Sequence, residues 1–294
     1  KDKTFLLDWM QVYMEAQESA GKKDGSQIKI AMRILKDYAG EMVTLDQIDG
    51  DFCRGYITYL LTEYHPKGKD ISNYTLHNYY RALNGALNSA VRKRKMKANP
   101  FNELEKSEKI RKPESMRSYM TIEEVQALID TPMPHEEYEI VKCAYLFSCF
   151  CGLRISDIIK LKWNDVFVDR GQYRLAVSMK KTKEPIYLPL SPEALKWMPE
   201  RGGKSSEDNV FDLPSANTIR MQLKPWAKAA GISKRFSYHT SRHTFATMML
   251  TLGADLYTVS KLLGHADVKM TQVYAKIINK KKDEAVNLVN GLFH

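Results

Sequence analysis

Three short stretches carry side chains that could act together on a phosphodiester. The first is Cys151-Gly152-Leu153-Arg154-Ile155-Ser156-Asp157. The second is Tyr238-His239-Thr240-Ser241-Arg242-His243-Thr244. The third is Gly264-His265-Ala266-Asp267, with Val273-Tyr274-Ala275 just beyond it. Taken singly, each is ordinary. Gly-Leu-Arg is a common helix cap, a histidine and an arginine three apart share a helix face and can pair with carboxylates, and a tyrosine in an apolar segment is more often core than catalyst. Taken together and in this order, Arg154, His239, Arg242, His265 and Tyr274 are the residue types that phosphoryl transfer without a metal requires. Two guanidiniums can fork onto the non-bridging oxygens and stabilise charge on a pentacoordinate phosphorus. Histidines can donate to the same oxygens or handle the proton of the nucleophile. Tyrosine supplies an oxygen nucleophile that can form a phosphate ester. Its phenol pKa lies near 10, so neighbouring cations or a base must help it ionise.

A metal site is the competing use of the second stretch. His239 and His243 are spaced i, i+4, as in His-Glu-x-x-His zinc helices, but Thr240 stands where the glutamate belongs and no third ligand is evident.

These residues need elements to hold them. The first hundred residues read as four helices, Phe5 to Glu18, Ile28 to Tyr38, Asp51 to Tyr64 and Thr75 to Lys97, each with an apolar stripe at helical spacing. The fourth is expected to end in Arg92-Lys93-Arg94-Lys95-Met96-Lys97, where Arg92, Lys93, Arg94, Lys95 and Lys97 suit the helix macrodipole and could also contact phosphates. Asn99-Pro100 stops that helix. The polar segment Phe101 to Arg117 reads as an interdomain linker, and the capping box Thr121-Ile122-Glu123-Glu124 opens the next unit. The boundary falls near residue 113. The second unit is mixed. A helix over Tyr138 to Phe150 ends at Gly152, and a short helix follows over Ile155 to Leu161. Strands are expected at Val166 to Asp169, Tyr173 to Met179 and Pro185 to Leu190, the last confined to a sheet edge by its proline. Helices return at Ser215 to Ala230, where Pro225 could kink or split the run, at His239 to Leu252 and at Tyr257 to Leu263. A last helix beginning near Lys269 is expected to carry Tyr274.

Bulk composition is consistent with this. The chain has 294 residues, 44% of them hydrophobic and 27% charged, and a formal net charge of +10. That length suits two domains, and the charge favours a polyanionic partner. Four cysteines in so long a chain do not make a disulfide framework, and a reducing cytoplasm is expected. No run reaches a membrane span and no signal peptide opens the chain. Lys1 in first place, rather than methionine, suggests that the sequence begins inside a longer protein.

The Gly152-Leu153-Arg154 box, the His239-x-x-Arg242 box and the Gly264-His265 to Tyr274 segment, in this order, resemble the tyrosine recombinase and integrase family, which includes phage integrases and Xer resolvases. The subtype looks most similar to integrases of conjugative transposons from Bacteroides-like hosts. The resemblance implies a mainly α fold with a small antiparallel β-sheet. An N-terminal helical, SAM-like core-binding domain (residues 1–112) would precede a mixed α/β catalytic domain with a C-terminal tail (residues 113–294), the two forming a C-shaped clamp on duplex DNA. It also implies a catalytic set of Arg154, a hairpin lysine, His239, Arg242, His265 and Tyr274. By the same resemblance, the lysine would donate a proton to the leaving 5′-hydroxyl. Lys180, Lys181 and Lys183 all fall in the hairpin turn; the Lys-Thr pair matches the family best at Lys181, with Lys180 next. Nearby arginines would lower the pKa of such a lysine. Asp157, where many relatives have glutamate, is expected to support the site, and Thr240-Ser241 is more polar than the leucine common there.

The implied function is site-specific recombination through a 3′-phosphotyrosyl intermediate, integrating or excising a mobile element with neither cofactor, metal nor ATP. A double-stranded recombination site, a homotetramer joined partly by the amphipathic tail Asp283 to His294, and accessory DNA-bending proteins would be the partners, in a bacterial nucleoid rather than at a membrane. Two alternatives share parts of this chemistry. A type IB topoisomerase would relax supercoils without synapsis, and a catalytically silent relative would bind DNA only. A basic helical protein with no DNA role would fail to bind duplex DNA even at low salt.

Overall fold

Four amphipathic helices open the chain in the computed structural model, which describes residues 3–113, 117–178 and 185–274. They are α1 (Leu6–Ser19), α2 (Gly25–Ala39), α3 (Gly50–Thr62) and α4 (Asn73–Arg92). Their starts follow local chemistry. The Asp49 carboxylate accepts the Phe52 N–H at the head of α3, and Ser72 does the same for Thr75 at the head of α4. Their apolar stripes meet in one core containing Trp9, Tyr56, Leu60, Leu83 and Leu87, where the Trp9 indole donates to the Ala86 carbonyl at 2.8 Å.

Two expectations for this first unit need correcting. The helix α4 stops at Arg92 rather than running to Lys97. Arg94 adopts a left-handed φ of 59°, its N–H bonds to the Val91 carbonyl, and the Lys95 N–H reaches back to Ala90. That is a Schellman ending, made here without the usual glycine, and it satisfies carbonyls that further helix would otherwise have used. The segment read as a linker is in large part packed structure. Phe101, Leu104 and Ile110 are buried in the core of the first unit. The Asn99 side chain accepts the Phe101 N–H at 3.0 Å, and the His77 ring bonds to the Ile110 carbonyl at 2.8 Å. A polar composition hid three well-spaced apolar anchors. The chain divides into compact units at 1–115 and 116–294.

The second unit begins with α5 (Ile122–Asp130), headed by the Thr121–Glu124 capping box, and α6 (Glu139–Cys151). The short α7 (Ile155–Ile158) leads to three strands, β1 (Val166–Asp169), β2 (Gln172–Ser178) and β3 (Pro185–Pro189). They form an antiparallel sheet in the order β1-β2-β3, with Leu175 opposite Val166 on one side and Leu188 on the other. Leu175 and Leu188 are buried. The strand β3, which carries two prolines that cannot donate to a ladder, takes an edge. Then come α8 (Pro192–Leu195), α9 (Ala216–Ala229), α10 (Tyr238–Leu252) and α11 (Leu256–Leu262). Pro225 lies inside α9 without splitting it.

The buried axis of this unit is α10, which packs on α6. Its polar residues are buried in bonded pairs. Tyr238 donates to the Ala144 carbonyl at 2.6 Å and receives a bond from Ser148 at 2.9 Å. Tyr145 and Thr240 pair at 2.8 Å, and Thr244 accepts the Met120 N–H at 2.9 Å. The polar Thr240-Ser241 pair therefore has partners at both positions, Ser241 donating to the Tyr238 carbonyl. Lys142, buried in α6, donates to the Ile129 and Thr131 carbonyls beyond its own helix. All four cysteines are free thiols. Burial pushes Cys53 and Cys151 up to about 12, which leaves them inert packing residues. No described helix is long and apolar enough to cross a membrane.

Candidate active site

The first arginine is set by a turn. The helix α6 ends at Gly152, in the left-handed region with φ 75° and ψ 8°. A side chain there would be strained by that φ, and its Cβ would stand 2.6 Å from the Phe245 ring. Leu153 is buried, and Arg154 follows in extended backbone as the N-cap residue of α7. The Asp157 carboxylate accepts the Arg154 backbone N–H at 3.3 Å, and the same oxygen lies 4.0 Å from its guanidinium. Asp157 therefore touches both ends of Arg154.

The second arginine joins all three motifs. Arg242 is buried on α10. Its Nη1 donates to the Gly152 carbonyl at 2.8 Å and its Nη2 to the Leu263 carbonyl at 2.6 Å. One carbonyl belongs to the cap of α6 and the other to the end of α11. Both are orphan acceptors of helix ends, and the planar guanidinium fits both at once. Burial, reinforced by the Arg154 charge, pulls Arg242 down to about 10, and it stays cationic at neutral pH.

His239 and His243 lie on the same helix, three residues before and one after Arg242. His239 is exposed. Partial desolvation, then the charges of Arg242, Arg117 and Arg154, lowers its pKa. Past α11, Gly264 turns the chain with a φ of 60°. His265 then bonds to the Thr271 hydroxyl at 2.7 Å. Burial first, then Arg242, Arg154 and Arg117, bring His265 down to about 4.

Tyr274 closes the site from the 3₁₀ turn Gln272–Tyr274, its N–H bonded to the Thr271 carbonyl. The preceding turn, Val268–Met270, is also 3₁₀, and the Asp267 side chain caps it at the Lys269 N–H. These local bonds replace helical ones across the segment. Only 4% of Tyr274 is exposed, and it packs with Phe245, Leu250, Val259 and Leu263. Burial raises the phenol pKa, against the pull of a hydrogen bond from Arg117 and the charge of Arg242.

Arg154, His239, Arg242, His265 and Tyr274 thus come together around one guanidinium, and each titrating member senses its neighbours' charge. Two residues that the motif reading left out join them. His243 bonds to the Tyr274 hydroxyl through Nδ1 at 2.5 Å, although its spacing suggested only a metal partner for His239. Its place on the same helix face was the available signal. Arg117, read as linker, lowers the pKa of the same phenol; nothing local marks it, because it stands far from every motif in sequence. Lys180, Lys181 and Lys183 lie outside the described residues, between the paired Ser178 and Pro185. The tail Asp283 to His294 lies outside them too. Arg92, Lys93, Arg94, Lys95 and Lys97 are exposed in the first unit.

Both units of the chain resemble known proteins. Residues 118–281 match the phage integrase family, and residues 5–111 match the phage integrase SAM-like domain. A tyrosine recombinase of Pseudothermotoga lettingae is 29% identical over 242 residues, covering 74% of this chain and 82% of that one. The tyrosine recombinase XerD of Vibrio vulnificus is 32% identical over 184 residues, covering 58% of this chain and 59% of its own length. Among solved structures, the Tn1549 transposon integrase in complex with circular intermediate DNA superposes with a TM-score of 0.72 at 17% identity, covering 92% of this chain and 94% of that one. A lambda integrase dimer bound to a core site superposes with a TM-score of 0.67 at 21% identity, covering 92% and 95%.

Proposed function

The chain belongs to the phage integrase family, and from that premise we propose how its residues divide the work of a site-specific tyrosine recombinase, which breaks and rejoins DNA through a tyrosine intermediate. Tyr274 attacks the scissile phosphate. Its oxygen bonds to phosphorus as the bond to the 5′ oxygen breaks, leaving a 3′-phosphotyrosyl ester and a free 5′-hydroxyl. The ester conserves the energy of the broken bond, so rejoining to the 5′-hydroxyl of a partner duplex needs no ATP.

The single observation that carries this assignment is that Arg242, bonded to Gly152 and Leu263, acts by its charge on His239, His265 and Tyr274 and is itself affected by Arg154. Arg154 and Arg242 take the non-bridging oxygens, and Asp157 keeps Arg154 in place. Burial and then the neighbouring cations keep His239 and His265 neutral, and a bound phosphate would offset the cations. An anion there favours the protonated imidazole, which lets each histidine donate to phosphate oxygens. Lys181 protonates the departing 5′ oxygen.

The first unit grips DNA, with Arg92, Lys93, Arg94, Lys95 and Lys97 against the phosphate backbone. Four protomers meet at the synapse, with the tail from Asp283 docking on a neighbour and DNA-bending proteins assisting. The element that such a protein moves is a mobile one, integrated or excised at a specific site.

A nicked suicide duplex tests the core of this reading, because loss of a short strand traps the covalent adduct. The wild-type protein should accumulate adduct and Tyr274→Phe should form none. Adduct of wild-type yield from Tyr274→Phe would place the nucleophile elsewhere.

A further inference from the structure

His243 has no part in the division of labour above, yet it hydrogen-bonds to the attacking atom. Its Nδ1 is 2.5 Å from the Tyr274 oxygen. The two ring centroids are 5.8 Å apart. On its other side the His239 ring stands edge-on at 4.6 Å, with an interplanar angle of 85°. Only 7% of His243 is exposed.

A neutral imidazole with its proton on Nε2 leaves the Nδ1 lone pair to accept the Tyr274 O–H across this contact. The Arg117 charge acts on the same phenol and lowers its pKa.

We propose that His243 is a catalytic residue, the immediate acceptor of the Tyr274 proton during strand cleavage. The inference rests on Tyr274 being the nucleophile. In the step, the Tyr274 O–H bond breaks and its proton passes to the His243 Nδ1. The phenolic oxygen bonds to phosphorus, the bond from phosphorus to the 5′ oxygen breaks, and that oxygen takes its proton from the acid of the site. Rejoining runs in reverse, with the His243 imidazolium returning the proton to the departing phenol.

The surroundings make this acceptor conditional on DNA. Arg117 and Arg242 are the cations that act on His243, the imidazoles of His239 and His265 add to them, and Tyr274 is the phenol it faces. Burial first, then His239, Arg117, Arg242 and His265, hold the free His243 down at about 3. A weak base leaves the buried phenol protonated and unreactive. A phosphate seated between Arg154 and Arg242 brings a negative charge beside the imidazole and raises its proton affinity when the substrate is in place.

The test measures covalent adduct formation on the suicide duplex by wild type, Tyr274→Phe, His243→Ala and His243→Asn, with duplex binding and thermal melting as controls. Asparagine can accept a hydrogen bond near the Nδ1 position but cannot take the proton. Cleavage by both His243 variants should fall by about 10²- to 10⁴-fold while duplex binding is kept. Raising the pH should restore part of the rate. A 5′-bridging phosphorothiolate, whose leaving group needs no acid, should not restore it. Cleavage by His243→Asn within a few-fold of wild type, with an unchanged pH profile, would overturn the proposal, as would full rescue by the phosphorothiolate. Adduct persisting in Tyr274→Phe would instead defeat the nucleophile assignment beneath it. Heteronuclear NMR of the wild-type histidine rings adds a measurement that needs no variant. The His243 Nδ1 should lack a proton in the free protein, and a protonated Nδ1 would count against the proposal.

Discussion

The Arg242 Nη1 donates to the Gly152 carbonyl at 2.8 Å, which ties the second arginine of the site to the turn that positions the first. The same guanidinium holds the Leu263 carbonyl at 2.6 Å, so one side chain sets the spacing of three segments that are distant in sequence.

Arg242→Lys keeps the charge and should still fail. One ammonium nitrogen cannot take the places of both Nη1 and Nη2, which reach carbonyls on different helix ends. The carbonyl left without a partner in the interior should cost about 1–3 kcal/mol in urea unfolding, and cleavage should drop about 10²- to 10³-fold. Wild-type stability together with wild-type cleavage would show that the bridge is dispensable.

Gly152→Ala tests the turn itself. The new Cβ meets the Phe245 ring at 2.6 Å in a backbone with φ 75°. The strain should lower stability by about 1–3 kcal/mol and shift both Arg154 and the carbonyl that holds Arg242. The expected result is a lower melting temperature with a larger proportional loss of cleavage. An unchanged melt would refute the steric argument.

Arg117→Ala removes a cation that opposes the burial of Tyr274. The phenol pKa should rise further, so the rate of adduct formation at neutral pH should fall by roughly tenfold for each unit of rise. The pH dependence of cleavage should move to higher pH, and Arg117→Lys should recover part of the loss. The same rate and profile in both variants would remove Arg117 from the site.

Acid should weaken the fold through His265. Its folded pKa lies at about 4, below the ordinary value of 6.5. Between these values the unfolded chain binds a proton that the folded chain excludes, so stability rises with pH across that interval. The contribution is complete above about 6.5 and is lost as pH falls towards 4. Thermal melts over this range should show a smaller acid loss for His265→Asn than for wild type. Parallel curves would rule out His265 as a contributor.

Much of the architecture was legible because it is written in short-range patterns. Apolar residues at helical spacing located α1, α2 and the body of α4, since each such helix must bury a stripe. Pro185 placed β3 at an edge for want of an N–H. Gly152 ended α6 because only glycine takes that φ cheaply. The errors came where a local rule competed with a distant partner. The stretch from Phe101 to Ile110 looked like linker by composition, and the core of the first unit captured its three apolar side chains. The basic run after Arg92 looked like continuing helix, and a Schellman turn closed α4 before it.

The sequence by itself determined which side chains this protein has for phosphoryl transfer, because residue type and order are enough to recognise two arginines, two histidines and a tyrosine as one set. Only the tertiary structure decided how they meet. Arg242 finds its acceptors at Gly152 and Leu263, and the Tyr274 hydroxyl bonds to His243, a residue 31 positions away. The Arg117 charge acts on the same hydroxyl from beyond every motif. Hydrogen bonds and charge effects depend on ångström distances between segments, and no spacing along the chain encodes those distances.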